Sequence, residues 1–434
     1  MTTVLDPATG EVAFEFAETA PDDAVAAMDR AREAQRGWAA LGAQGRAAKL
    51  VDAAARIAAD DRLAELIVSD VGKPIVEAQA EVGRAAAILR YIASLATAPT
   101  GELYEDATGA QIRVIRVPRG VALLVTPWNF PAAIPVWKLA PELQAGNAVV
   151  LKPATPGTRV ASAVVEHLHA AGVPEDVLQL VPGGAETAGA LLDARPDAVS
   201  FTGSTATGEA IARRMAGRFV PLQLEMGGKN GVYVSASADP AEAAKIALAG
   251  AMGYAGQKCT ATSLLFVHEA AADAVRAELD RQTAALGVGD PREHSVSVGP
   301  VIAVDHRDEV AARIAAARER GVSVDAGGDP LDRPGAFLAP TLLSGGAADD
   351  EIHREELFAP VLSVRPVGDI DQALHELDAL PYGLVAGIVS PLRAEVEHFA
   401  RSVEAGLVRV NAPTTGLEPH VPFGGVKQSS HGPR

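Results

Sequence analysis

One cysteine, Cys259, stands among 434 residues. That scarcity excludes an intrachain disulfide and a thiolate-cluster metal site, and no metal is expected. No apolar run approaches the length needed to cross a bilayer as a helix, so no membrane partner is expected. The start, M-T-T-V-L-D-P-A-T-G-E, lacks a basic stretch followed by an apolar one. It does not read as a secretory signal, and a cytoplasmic location is expected. Basic residues are in deficit, 38 against 55 acidic, for a net charge of −17. Such a balance opposes binding to phosphate backbones, and no nucleic-acid partner is expected. Aromatics make up only 4%, so a Trp or Phe in a loop is more informative than usual.

The composition that remains, 48% hydrophobic with 41 Gly and 29 Pro, suits a globular α/β chain of two or three domains. Thr19 to Leu95 reads as helices. Thr19 and Asp22 have the form of a capping-box start, and Val25, Met28, Ala31 and Trp38 fall near one helical face. Gly72-Lys73-Pro74 interrupts the run. Gln111 to Val117 alternates apolar and basic residues, as a solvent-facing hairpin strand does. From Gly120, strands are expected at Val121 to Val125, Ala148 to Leu151, Val177 to Val181, Ala198 to Phe201 and Pro221 to Glu225. Helices are expected between them at Ile134 to Gln144, closed by Gly146-Asn147, and at Arg159 to Ala171. This alternation predicts a doubly wound parallel sheet with ligands at the carboxyl ends of its strands. The alternation restarts near Gly227, with strands around Leu264 to Val267, Val361 to Val364, Val385 to Ile388 and Leu407 to Val410. Helices accompany them around Pro240 to Ala255, Ala270 to Leu286, Asp305 to Arg320 and Ile370 to Leu377.

Four strand-end loops gather unusual residues. T-P-W-N-F-P, Thr126 to Pro131, frames Asn129 between two prolines, where its amide could face a developing oxyanion. L-K-P-A-T, Leu151 to Thr155, places a lysine at the end of a buried strand, which suits a polyol or phosphate. F-T-G-S-T-A-T-G, Phe201 to Gly208, lets backbone and Ser204 approach a pyrophosphate. E-M-G-G-K, Glu225 to Lys229, leaves space around a carboxylate that burial would make a general base. Taken singly, each also fits an ordinary turn or strand end. Cys259 in G-Q-K-C-T alone fits a small buried hydrophobe.

Together these segments resemble the NAD(P)-dependent aldehyde dehydrogenase superfamily, from Asp6 to Arg434. Order and spacing match as well as residue type, including the 34 residues between Glu225 and Cys259. Further matches are W-K-L-A-P at Trp137, E-E-L-F-A-P-V at Glu355, P-Y-G-L at Pro381 and P-F-G-G-V-K at Pro422. The resemblance implies that Cys259 attacks the aldehyde carbon and that Asn129, with the Cys259 backbone N–H, holds the oxyanion. It implies that Glu225 activates water to hydrolyse the thioester, and that Lys138 tunes this acid–base network. Lys152 would hold the adenine ribose, Ser204 and Gly203 the pyrophosphate, and Glu356 the nicotinamide ribose with Phe358 beside it. Thr126, Pro127, Trp128 and Gly227 would complete the cofactor site. Phe130, Trp137, Thr260 and Phe423 would wall the substrate tunnel, with His420 at its mouth or simply exposed.

The implied architecture is two doubly wound α/β domains. Residues 1–100 and 120–226 would form a Rossmann-type cofactor domain and residues 227–417 the catalytic domain. Residues 101–119 and 418–434 would form a reduced bridging element. Thr155 stands where many NAD-preferring members carry a glutamate, so NADP is expected to be accepted as well as NAD. Ala359 replaces a common glycine, and Leu264 a common arginine. Members assemble as homodimers or homotetramers, but only Met1 to Leu5 precede the D-P-A-T-G-E segment here and the chain stops soon after Lys427. The G-Q-K-C-T-A-T-S run resembles that of members acting on 2-oxoglutarate semialdehyde. Acyl transfer to coenzyme A is an alternative that Glu225 opposes. A non-catalytic paralogue is another, opposed by the intact Cys259, Asn129 and Glu225.

Overall fold

Val121–Thr126 and Ala148–Pro153 are continuous apolar runs, and as neighbouring parallel strands they are buried on both faces. They form the middle of a six-stranded sheet in a computed structural model that describes residues 1–432. Its order is Ser430–His431, Leu222–Glu225, Ala198–Thr202, Val121–Thr126, Ala148–Pro153, Leu178–Leu180. All neighbours are parallel except the first pair, which is antiparallel. The chain starts in the centre, winds one way, then returns to the other side. The strand order therefore reverses between Thr126 and Thr202, and at such a switch point a crevice opens at the carboxyl ends. The helices from Pro21 to Ser94 and the crossovers Ala133–Ala145 and Thr158–Ala170 pack on this sheet in one apolar core.

A seven-stranded sheet follows, in the order Val322–Ala326, Thr341–Gly345, Val361–Val367, Thr262–His268, Asn230–Val234, Val385–Val389, Leu407–Val410. Only its first pair is antiparallel. Separate apolar clusters cover its two faces. Leu264, where many family members carry an arginine, is a buried residue of its central strand. Glu225 ends a strand of the first sheet and Asn230 begins one of the second. The carboxyl edge of one sheet is thereby joined directly to the amino edge of the other.

Several expectations need correcting. Thr19 and Asp22 do not cap a helix: Pro21–Ala40 starts at Ala20 without a side-chain cap, and the Thr19 N–H donates to the Pro182 carbonyl. Proline at the start of the helix presets φ and removes one N–H that would lack a partner, so the helix begins without a side-chain cap. Asn230–Val234 is a strand although Asn-Gly, its first dipeptide, normally signals a turn. The helices Ala185–Asp193 and Arg393–Ser402 and the strands Val322–Ala326 and Thr341–Gly345 add to the elements expected from sequence. The D-P-A-T-G-E segment is the turn of a hairpin, Thr2–Leu5 against Val12–Phe16. Gly101–Glu105 and Gln111–Ile115 form the expected exposed hairpin. Val426–Lys427 pairs with Tyr382–Gly383, and Ser430–His431 with Leu222–Glu225.

Candidate active site

Cys259 lies in the turn between Gly256 and the strand Thr262–His268. The approach is strained: Tyr254, Ala255 and Gly256 have φ of 52°, 51° and 70°. Left-handed backbone costs a non-glycine residue roughly 1–3 kcal/mol, so the surroundings must hold it. They do so closely. A Cβ on Gly256 would fall 2.2 Å from the Ala359 carbonyl oxygen. Asn230, buried at the start of its strand, donates from Nδ2 to the carbonyls of Cys259 at 2.8 Å and Ala261 at 2.9 Å. Thr414 Oγ1 donates to the Thr260 carbonyl at 2.6 Å. Sequence reading missed both anchors. Asn230 directly follows M-G-G-K and was open to notice, whereas Thr414, 154 residues from Thr260, carried no local signal.

Asn129, 4% exposed, donates from Nδ2 to the Gln257 carbonyl at 2.9 Å, which ties T-P-W-N-F-P to the cysteine turn. An amide nitrogen carries two hydrogens, so one remains for a ligand. Behind this loop, Lys73 and Glu81 form a fully buried ion pair. The Lys73 ammonium lies 3.7 Å from the Phe130 ring centre and 4.4 Å from that of Tyr254. Glu81 Oε1 accepts the Ala132 and Ala133 N–H groups at 2.9 and 3.0 Å, capping the helix Ala133–Ala145. Trp128 meets Phe358 edge-on at 5.6 Å, and Phe358 itself has φ of 52°.

Cys259 as a residue is half-buried, yet desolvation around its sulfur pushes the thiol up to about 12. The Glu356 and Glu225 carboxylates raise it further, while the N–H groups of Cys259 and Thr260 pull it down. Glu225 is 6% exposed and accepts from Ser430 Oγ at 2.6 Å. Lys138 is buried, and desolvation lowers it to about 8 against the pull of Glu225 and Glu142. Its ammonium donates to Ser200 Oγ at 2.7 Å, which donates to Gln223 Oε1 at 2.7 Å. Burial lifts Glu356 to about 7 despite the Gly228 N–H and Lys229. Its Oε1 accepts that N–H at 3.2 Å, and a Cβ on Gly227 would lie 1.9 Å from Oε2. Only glycine admits the carboxylate there. Lys258 pairs with Glu77 at 2.6 Å and so is engaged away from its neighbour's sulfur.

The expected cofactor residues lie along the switch-point crevice. Lys152 is buried, with its ammonium 3.2 Å from the Pro153 carbonyl and the charge of Glu18 nearby. Thr155 opens the short 3-10 turn Thr155–Gly157, and Pro127 and Trp128 follow the central strand. Ser204 accepts the Thr207 N–H at the N-terminus of the helix Thr205–Met215, beside Gly203. A cleft of about 650 Å³ runs from Ser204 past Glu356 to Tyr382. Thr126 Oγ1 is buried with no hydrogen-bond partner among the described residues. A buried hydroxyl without a partner at the end of a central strand is what a polar ligand would satisfy. A helix N-terminus, a carboxylate over glycine and this orphaned hydroxyl fit a pyridine dinucleotide: phosphate at the helix, ribose hydroxyls at the carboxylate. Phe130, Trp137 and Phe423 are half-buried and Thr260 is buried. His420 is exposed, its ring edge-on to Tyr91 at 6.4 Å.

The whole chain, residues 1–434, matches the model of the Aldehyde dehydrogenase family. It is 39% identical to an alpha-ketoglutarate semialdehyde dehydrogenase of Haloferax volcanii, over 99% of this chain and 90% of that protein. It is 35% identical to an alpha-ketoglutaric semialdehyde dehydrogenase of Bacillus subtilis, over 94% and 86%. A putative aldehyde dehydrogenase from Burkholderia cenocepacia superposes with a TM-score of 0.96 at 33% identity, over 99% of this chain and 89% of that one. PnpE, solved with nicotinamide adenine dinucleotide, gives 0.96 at 32%, over 99% and 90%. An NADP-dependent enzyme of E. coli gives 0.95 at 31%, again over 99% and 90%.

Proposed function

This chain belongs to the aldehyde dehydrogenase family and oxidises an aldehyde to the carboxylic acid with NAD or NADP, and from that premise we propose its substrate class and the part each residue plays. The substrate is a semialdehyde whose far end carries a carboxylate, of the 2-oxoglutarate semialdehyde type. The relatives from Haloferax volcanii and Bacillus subtilis, matched over nearly the whole chain, support that class.

The observation that carries the site assignment is the meeting of Asn129 with the cysteine turn, where both Glu225 and Glu356 bear on the sulfur. Cys259 gives its thiol proton to solvent and attacks the aldehyde carbon as the thiolate, and the second Asn129 N–H with the Cys259 backbone N–H holds the oxyanion that forms. Bound NAD(P) supplies the hydride acceptor. Thr126, Lys152, Gly203, Ser204, Gly227 and Glu356 would hold it, together with Trp128 and Phe358. Glu225 then takes a proton from the water that hydrolyses the thioester. Lys138, lowered to about 8, holds positive charge near Glu225 at neutral pH and loses it as the pH rises past that value. Phe130, Trp137, Thr260 and Phe423 shape the substrate's path. Residues 1–100 and 120–226 carry the cofactor and 227–417 the nucleophile.

Steady-state kinetics over matched aldehydes test the substrate class. The kcat/KM for 2-oxoglutarate semialdehyde should exceed that of a neutral five-carbon aldehyde by at least about tenfold, the worth of one charge-assisted contact. Added coenzyme A should leave the rate unchanged. A preference for the neutral aldehyde overturns the carboxylate reading.

A further inference from the structure

Ser430 sits between two groups of the site. Its Oγ accepts the Gly425 backbone N–H at 2.6 Å and donates to Glu225 Oε2 at 2.6 Å. With a lone pair engaged by the amide, the single hydroxyl proton is directed at the carboxylate. Backbone pairing fixes the contact. Ser430 lies opposite Glu225 in the antiparallel register of Ser430–His431 with Leu222–Glu225. The preceding residue is pinned by two backbone amides. The Ser429 carbonyl accepts the Met226 N–H at 2.8 Å, and its buried Oγ accepts the Gly383 N–H at 3.0 Å. Gly425 belongs to P-F-G-G, the segment that also supplies Phe423.

We propose that Ser430 is a positioning residue for the hydrolytic half of the reaction: its hydroxyl holds the Glu225 carboxylate in the orientation that receives the proton of the attacking water. The proposal rests on Glu225 being the water-activating base. In that step the water oxygen bonds to the acyl carbon and the carbon–sulfur bond to Cys259 breaks. One water proton passes to Glu225 and from there to the departing sulfur. The other stays on the new carboxylic acid, and nothing is oxidised or reduced. Attack by the sulfur and loss of hydride come earlier and are served by Cys259 and Asn129. Ser430 therefore separates the two halves kinetically.

Rapid mixing of Ser430→Ala with saturating aldehyde and NAD tests this. Reduced-nicotinamide fluorescence follows acylation, and the mass of acid-quenched protein reports the thioester. Acylation should stay within about twofold of the parent, while hydrolysis slows about tenfold and thioester accumulates, as expected for one lost hydrogen bond to a charged group. A donor lowers the pKa of the carboxylate it serves, so the rise of hydrolysis with pH should move up by about one unit in the variant. Ser430→Thr, which keeps a hydroxyl, should recover most of the lost rate. Failure to recover would assign the loss to packing and overturn the proposal. So would an unmoved rate and pH profile in Ser430→Ala, or an equal loss in both halves. Glu225→Gln guards the reading underneath. Without thioester accumulation there, Glu225 is not the base and both readings fall. With accumulation there but none in Ser430→Ala, only the role of Ser430 falls.

Discussion

Cys259 keeps its proton far above neutrality, first through desolvation and then through two carboxylates. With the thiol near 12, roughly one molecule in 10⁵ is thiolate at pH 7. Iodoacetamide should therefore label the cofactor-free enzyme slowly, rising about tenfold per pH unit from 7 to 9 with no plateau. A plateau below pH 9 would contradict the raised value. Glu356→Gln removes the larger of the two charge contributions, which lowers the thiol's pKa and should speed labelling at pH 8.5. Glu356 itself titrates near 7, so the gain should shrink below about pH 6, where its carboxyl is neutral in the parent too. Asn129→Ala should slow oxidation by about 10²–10³, the worth of one oxyanion donor, while NAD still quenches protein fluorescence. At this scale the sequence was highly legible. Cys259, Glu225 and Asn129 stand in motifs whose order, spacing and residue types carry the family resemblance that implies their roles. Ser430 was not legible, because nothing local marks a serine as the partner of a carboxylate 205 positions away.

The Lys73–Glu81 pair shows how elements hold the reactive loop. It links the turn Gly72-Lys73-Pro74 to the helix Ile75–Ser94, and through Glu81 to the N-terminus of Ala133–Ala145, just after Asn129 and Phe130. Glu81→Ala leaves a buried ammonium unpaired and two helix N–H groups without an acceptor. The expected cost is about 3–5 kcal/mol, read as a lowered urea midpoint at unchanged m-value. Adding Lys73→Met should recover only part of it, since the Ala132 and Ala133 amides still lack their acceptor. Full recovery would show that capping contributes nothing. Gly72-Lys73-Pro74 was readable as punctuation, and Gly72 does close the helix Arg62–Val71. That its lysine is wholly buried could not be read, because lysine in a turn is ordinarily solvated.

Across the whole molecule, the hairpin Gly101–Glu105 with Gln111–Ile115 is the conspicuous exposed apolar surface. Its register places Tyr104 opposite Ile112 and Glu102 opposite Val114, so Tyr104, Ile112 and Val114 share a face. They are 51%, 49% and 48% exposed. An isolated two-stranded ribbon is marginal in water, and self-association through this face is the expected remedy. Tyr104→Glu with Ile112→Glu should shift sedimentation to a smaller species without changing the far-ultraviolet spectrum. No shift would mean that this face is not the contact. In the first sheet's crevice, Thr155→Glu should cut kcat/KM with NADP by at least about tenfold and spare NAD, since a carboxylate there would repel a 2′-phosphate. An unchanged NADP preference would place discrimination elsewhere.

The sequence by itself determined what depends on residue type and short spacing. Buried apolar runs dictated parallel strands, their alternation with helices dictated two wound sheets, and ordered motifs located the thiol, the carboxylate and the amide. Some motif positions misled, as at Asn230, whose Asn-Gly begins a strand when the strands on either side of it supply its partners. Only the tertiary structure decided how the sheets join at Glu225–Asn230, which anchors hold the strained cysteine turn, and that the Ser430 hydroxyl meets the Glu225 carboxylate. Those are contacts between distant segments. They acquire geometry, desolvation and hence energy only when strands pair and water is excluded.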